Sequence, residues 1–212
     1  MLYYKINTWN NYKRTNYILK TYIILLLLSS HILFAQEEKK TKIFPTAALS
    51  LQYAGSIGWL SAGYFRQTNN EKLELGIIYG FTPKFVGGNI NTLGFKFIYN
   101  PFKIKINNNI DLEPLQTGFF ITQNFGHNLH IKWPDQYEEQ YYNWTNSTRF
   151  HIFLSTQVSY KLNTKRLNKI SLYFETNTNE LYFNSYAAHN NWKSLSIIDI
   201  FFFGIGSKIY FQ

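Results

Sequence analysis

Phe201-Phe202-Phe203-Gly204-Ile205-Gly206-Ser207-Lys208-Ile209-Tyr210-Phe211 is the stretch that decides the fold. From Phe201 to Phe211 every second residue is apolar, with Ser207 the one gap. Between them stand Gly204, Gly206, Lys208 and Tyr210, which are small, charged or amphipathic. A period of two belongs to an extended strand with two unlike faces.

Seven earlier segments alternate in the same way: residues 47–54, 57–67, 72–81, 92–100, 115–125, 149–160 and 170–177. The cleanest places Leu73, Leu75, Ile77, Tyr79 and Phe81 opposite Lys72, Glu74, Gly76 and Gly80. In the 57–67 segment the pattern sets Ile57, Trp59 and Phe65 against Tyr64 and Arg66. Beyond the leader, no stretch carries helical spacing. Strands of about 9–11 residues suit a tilted β-strand that crosses a bilayer. An even number of them returns the chain to the side where it began. The fold expected is all-β: an eight-stranded antiparallel up-and-down transmembrane β-barrel.

The leader supports that location. Residues 1–35 hold Lys5, Lys13, Arg14 and Lys20 and no acidic residue, then a short apolar run, then Ala35 before Gln36. A basic start, an apolar middle and a small residue at the exit make a cleavable signal peptide, expected to end at Ala35 and to direct Sec export. An uncleaved anchor is the competing reading, but about 20 apolar residues are needed to span a bilayer. Residues 36–212 then form one barrel domain. Four of the 21 basic residues fall in the leader, so the mature chain sets 17 against 12 acidic ones. That modest surplus in an exported chain argues against nucleic acid as a partner. Lys161, Lys165, Arg166 and Lys169 cluster at one connector and read as a solvated turn.

With no cysteine, disulfides, thiolate metal sites, a catalytic thiol and a lipoprotein anchor are all excluded. The 19 Phe and 17 Tyr suit a wall with lipid outside and aromatic girdles at both interfaces. Leu75, Ile77, Phe95, Phe97, Phe119, Ile121, Leu154, Leu172 and Phe203 are expected to face lipid. Glu74, Lys96, Glu175 and Lys208 are expected to face inward, with Arg66 and Arg149 towards the ends of that face. Eight strands leave room only for side chains, so these charges must pair and no pore is expected. A soluble sandwich or lipocalin-like binding barrel would bury the apolar faces instead. The polar faces, rich in Gly, Ser, Thr, Asn and Tyr, fit a crowded interior better than a wet surface.

With the N-terminus on the inner side, the outward connectors are residues 55–56, 82–91, 126–148 and 179–196. The inward ones are 69–70, 101–114 and 163–167, the second of which is long enough to extend its flanking strands. The leader ending Phe34-Ala35-Gln36, the eight segments and the terminal strand together resemble the small, uncharacterised outer-membrane β-barrel proteins of Gram-negative, Bacteroidota-type bacteria. The resemblance implies an outer-membrane location among its lipids and lipopolysaccharide. It also implies insertion by the barrel assembly machinery, which would read Phe211; Gln212 follows that aromatic.

Some small barrels modify lipid A, so a hydrolase is the alternative function. Acyl-ester hydrolysis needs a Ser, a His and a carboxylate in contact. His151 and Ser155 share a face but stand roughly 13 Å apart along a strand. The 126–148 connector mixes aromatics with carboxylates: Trp133, Asp135, Tyr141, Tyr142 and Trp144 are the candidates for recognising a surface glycan or protein. His127, His130 and Asp135 match no standard metal spacing. No cofactor motif is present in the sequence. A structural or surface-interaction role is the function expected.

Overall fold

The computed structural model describes residues 43–126, 129, 145, 147–162, 164, 166–187 and 196–211; the signal-peptide expectation lies outside that range. The chain forms β1 (Thr46–Ala54), β2 (Leu60–Gln67), β3 (Leu73–Thr82), β4 (Ile90–Tyr99), β5 (Ile104–Lys105), β6 (Ile110–Phe125), β7 (Thr148–Lys161), β8 (Leu167–Asn179) and β9 (Phe202–Phe211). Among the described residues of the β8–β9 connection are a helix, α1 (Glu180–Ala187), and a 3₁₀ turn at Ile197–Ile200.

Hydrogen bonding closes on itself. β1 pairs with β2 on one side and β9 on the other, while β4 pairs with β3 and with β6. Every pairing is antiparallel, so eight strands make a closed barrel, and the two-residue β5 adds to β6 outside the ring. Closure leaves the barrel proper without an unpaired edge. Ala47 opposes Phe211, so the two chain ends of the barrel share one rim, here the terminal rim. The opposite loop rim carries the β1–β2, β3–β4, β6–β7 and β8–β9 connections.

The alternation seen in the sequence sorts the faces. Ile77, Leu172 and Ile205 remain 58%, 64% and 59% exposed on the outer wall, whereas Glu74, Glu175 and Lys208 are 0%, 1% and 3% exposed inside. All nine residues expected on the outer wall point outward. The buried set is small and aromatic-rich, with Phe65, Ile78, Ile98, Phe120, Phe153 and Tyr210 filling the lumen between polar groups.

Four local expectations are corrected. β2 begins at Leu60, not residue 57, and its faces are the reverse of those expected. Phe65 is buried and Tyr64 exposed. The cause is Gly76: a Cβ there would lie 2.2 Å from the Phe65 ring, so the ring occupies the space a side chain would take. Arg66 accordingly lies on the outer side of the terminal rim, where its guanidinium reaches the Phe44 carbonyl and the Tyr64 hydroxyl. Ile57 is not a wall residue either. It folds inward over Gly80, whose missing Cβ would meet the Ile57 carbonyl oxygen at 2.1 Å.

Half of the 101–114 connector is strand, and it extends the strand that follows it but not the one before it. β6 starts at Ile110, and β5 pairs back onto it through Ile104↔Leu112. Pro114 sits where the β6–β7 register shifts between Glu113 and Gln116. Proline has no N–H for a ladder, and a bulge is where a strand tolerates it. Finally, α1 forms where a plain loop was expected; the Asn179 side chain accepts the Tyr182 N–H at 3.0 Å and caps it.

Candidate functional site: the charged lumen and its mouth

Two neighbouring ion pairs occupy the middle of the lumen. Lys96 from β4 meets Glu175 from β8 across the barrel. Lys208 from β9 meets Glu74 from β3 at 2.7 Å. The Glu74 carboxylate also accepts the Tyr210 hydroxyl at 2.6 Å and the Gln67 amide at 3.0 Å. Both ammonium groups lie over aromatic faces, Lys96 at 4.4 Å from the Phe153 ring centre and Lys208 at 4.7 Å from that of Phe65. Ring quadrupoles attract cations, most strongly where water is excluded. The structure thus joins the four inward charges named from the sequence into two pairs.

Towards the terminal rim the network continues through groups the sequence reading left out. Lys169, read as part of a solvated turn, is buried, with Glu113 at 3.6 Å and Glu71 at 2.5 Å. Glu113 also accepts from Gln157. In a regular strand residues 113 and 116 would face opposite sides; the bulge at Pro114 turns both Glu113 and Gln116 inward. Strict alternation therefore hid Glu113. Lys103 bridges Glu71 at 2.9 Å and Asp111 at 3.0 Å, and Lys161 reaches Asp111 at 2.8 Å.

Partial burial opposes ionisation of Glu71, but Lys169 and Lys103 outweigh it and hold the carboxyl below its ordinary value of 4.5. Burial likewise works against the Lys103 ammonium, and Glu71 and Asp111 overcome it, raising that group above 10.5.

Towards the loop rim the lumen becomes uncharged. His151 stacks on Phe120 with centroids 4.2 Å apart, and its Nε2 lies 3.0 Å from the Thr122 hydroxyl. Neither a serine nor a carboxylate reaches that imidazole among the described contacts, and Thr122 is buried beneath the mouth. No cluster of three metal-ligating side chains occurs among the described residues. Ile57 roofs the lumen. Above it opens a cleft of ≈ 550 Å³ that includes Tyr53, Ser56, Trp59, Thr92, Asn124 and Arg149. Its volume falls within the usual range for ligand sites. Below it, a void of ≈ 10 Å³ remains between Lys96, Glu175, Tyr173 and Lys208. That is room for about one water.

The loop candidates Trp133, Asp135, Tyr141, Tyr142 and Trp144 lie outside the described residues, as do His127, His130 and His189. Arg149 sits at the mouth, donating to the carbonyls of Thr145 at 3.0 Å and Thr148 at 2.7 Å. Fold and lumen together define a closed eight-stranded barrel with an apolar outer wall and a packed, ion-paired interior. No protein-family model matches this chain, and no curated protein does.

Proposed function

We propose that the protein is an outer-membrane barrel, exported by a leader removed after Ala35, that serves a structural or surface-interaction role through its loop rim. One observation carries this reading: the wall is inverted relative to a soluble barrel. Between the rims its outward positions are mostly Leu, Ile, Val, Phe and Tyr, with a few Ala, Thr and Ser, and the charges at that level point inside; Arg66, at the terminal rim, is the charged residue on the outer side. Continuous exposed apolar surface of this extent is unfavourable in water and favourable against acyl chains. A lipocalin-like carrier would need an apolar lumen with space for a ligand, and this lumen is polar and filled.

Contacts with surface ligands would be made at the mouth, where Tyr53, Trp59, Asn124 and Arg149 lie between the outward connectors. The 126–148 connector, with Trp133 and Trp144, would extend that surface. Phe211 ends the strand offered to the assembly machinery. The test is fractionation with unboiled gel electrophoresis. The reading expects recovery with outer membrane and faster migration of the unboiled protein. Recovery as a soluble protein with a single migration would contradict it.

A further inference from the structure

The two rims differ in charge. Among the described residues of the loop rim, Lys84 and Arg149 balance Glu180 and Asp199. Among its described residues the terminal rim carries seven basic residues against Glu71, Asp111 and Glu113. Lys103, Lys161 and Lys169 are taken up by those carboxylates, and Arg66 by a backbone carbonyl. Lys72, Lys105 and Arg166 remain, exposed, and their side chains form no ion pair among the described residues. They are held around one end, because Glu71 ties the β2–β3 turn to Lys103 beside β5 and to Lys169 on β8.

Directly beside Lys103 and Lys105 runs a second row. Phe102, Ile104 and Ile106 alternate with those lysines and are more than half exposed, and Tyr160 and Ile170 continue the apolar face on β7 and β8. A cationic edge bordering an exposed apolar flank has the order of a lipid molecule itself, head group then chain. Lysine stems can lie along the apolar flank while the ammonium reaches a phosphate.

We propose that the terminal rim is a binding surface for anionic phospholipid of the adjoining leaflet. Its phosphates would be met by Lys72, Lys105 and Arg166, and its chains by Phe102, Ile104 and Ile106. The proposal rests on the membrane reading above and names a lipid for one rim of it. Each cation near an anionic surface strengthens binding by about fivefold at moderate salt. The occupant is a phospholipid and not an anionic peptide because the apolar row lies on the outer wall, continuous with the face assigned to lipid.

The experiment uses the mature chain refolded into vesicles of phosphatidylethanolamine with one-fifth phosphatidylglycerol, then extracted gently for native mass spectrometry. Retained phosphatidylglycerol should exceed its share of the vesicle. The K72Q/K105Q/R166Q variant should fall back to the vesicle's own share, a loss of up to about fivefold, while K84Q at the opposite rim retains the enrichment. Unboiled migration confirms folding of each variant, since the three side chains form no ion pair among the described residues. Folded protein with no enrichment, or equal enrichment in the triple variant, would overturn the lipid assignment and leave the membrane reading intact. Failure to enter vesicles at all would overturn both.

Discussion

Glu175 and Lys96 show what a single buried charge does in this lumen. Each is nearly inaccessible, and each has the other as its ionic partner. A buried pair contributes little net stability compared with apolar residues of similar size, yet removing one member strands the other. E175Q should therefore lower unfolding free energy by about 3 kcal/mol or more. The double replacement K96M/E175M should recover most of that loss. Urea unfolding of detergent-refolded protein reads both. If E175Q costs nothing, the pair is not the lock described. These residues were legible in the sequence because they occupy the polar phase of clean alternation. Phe65 was not, since an aromatic in either phase looks the same until Gly76 shows where the ring can go.

Among the elements, β3, β4, β7, β8 and β9 follow from period-two alternation almost residue by residue. β6 does not, because its bulge breaks the period at Pro114 and brings Glu113 inward. The helix α1 escaped notice because it is a single short capped element with no apolar stripe and no buried residue. The β2–β3 turn matters for a different reason: Glu71 there joins two other elements through Lys103 and Lys169. Its carboxyl is held below 4.5, so its contribution is complete above that pH and is lost as pH falls through the lowered value. Lys103 is raised, so its share is complete below 10.5 and fades as pH rises beyond it. E71Q should flatten the acid limb of the stability curve below pH 4.5 and leave stability between pH 8 and 10 less sensitive than wild type to added salt. An unchanged acid limb would show that the rim network contributes nothing.

At the scale of the whole molecule, closure and packing act together. Eight strands give a lumen that side chains can fill, and here Ile57 roofs it while the ion pairs and Phe120, Phe153 and Tyr173 occupy its centre. Planar-bilayer recordings should show no sustained single-channel current; stable, large openings would refute the filled lumen. Architecture was legible because alternation reports which face is apolar. It does not report which ligand the mouth at Tyr53 and Trp59 would take, because those aromatics serve a girdle and a binding surface equally well.

The central claim is that the apolar wall meets lipid and the charged face is enclosed. The chain has no cysteine, so single-cysteine variants can be labelled without background. I77C and I205C lie on the outer wall, while S159C and S171C replace buried serines whose hydroxyls meet at 2.8 Å inside the lumen. In intact outer membranes, a lipid-soluble maleimide should label the first two and spare the second two until the protein is boiled. Labelling of residues 159 and 171 in preference to 77 and 205 would exchange the faces and contradict the account.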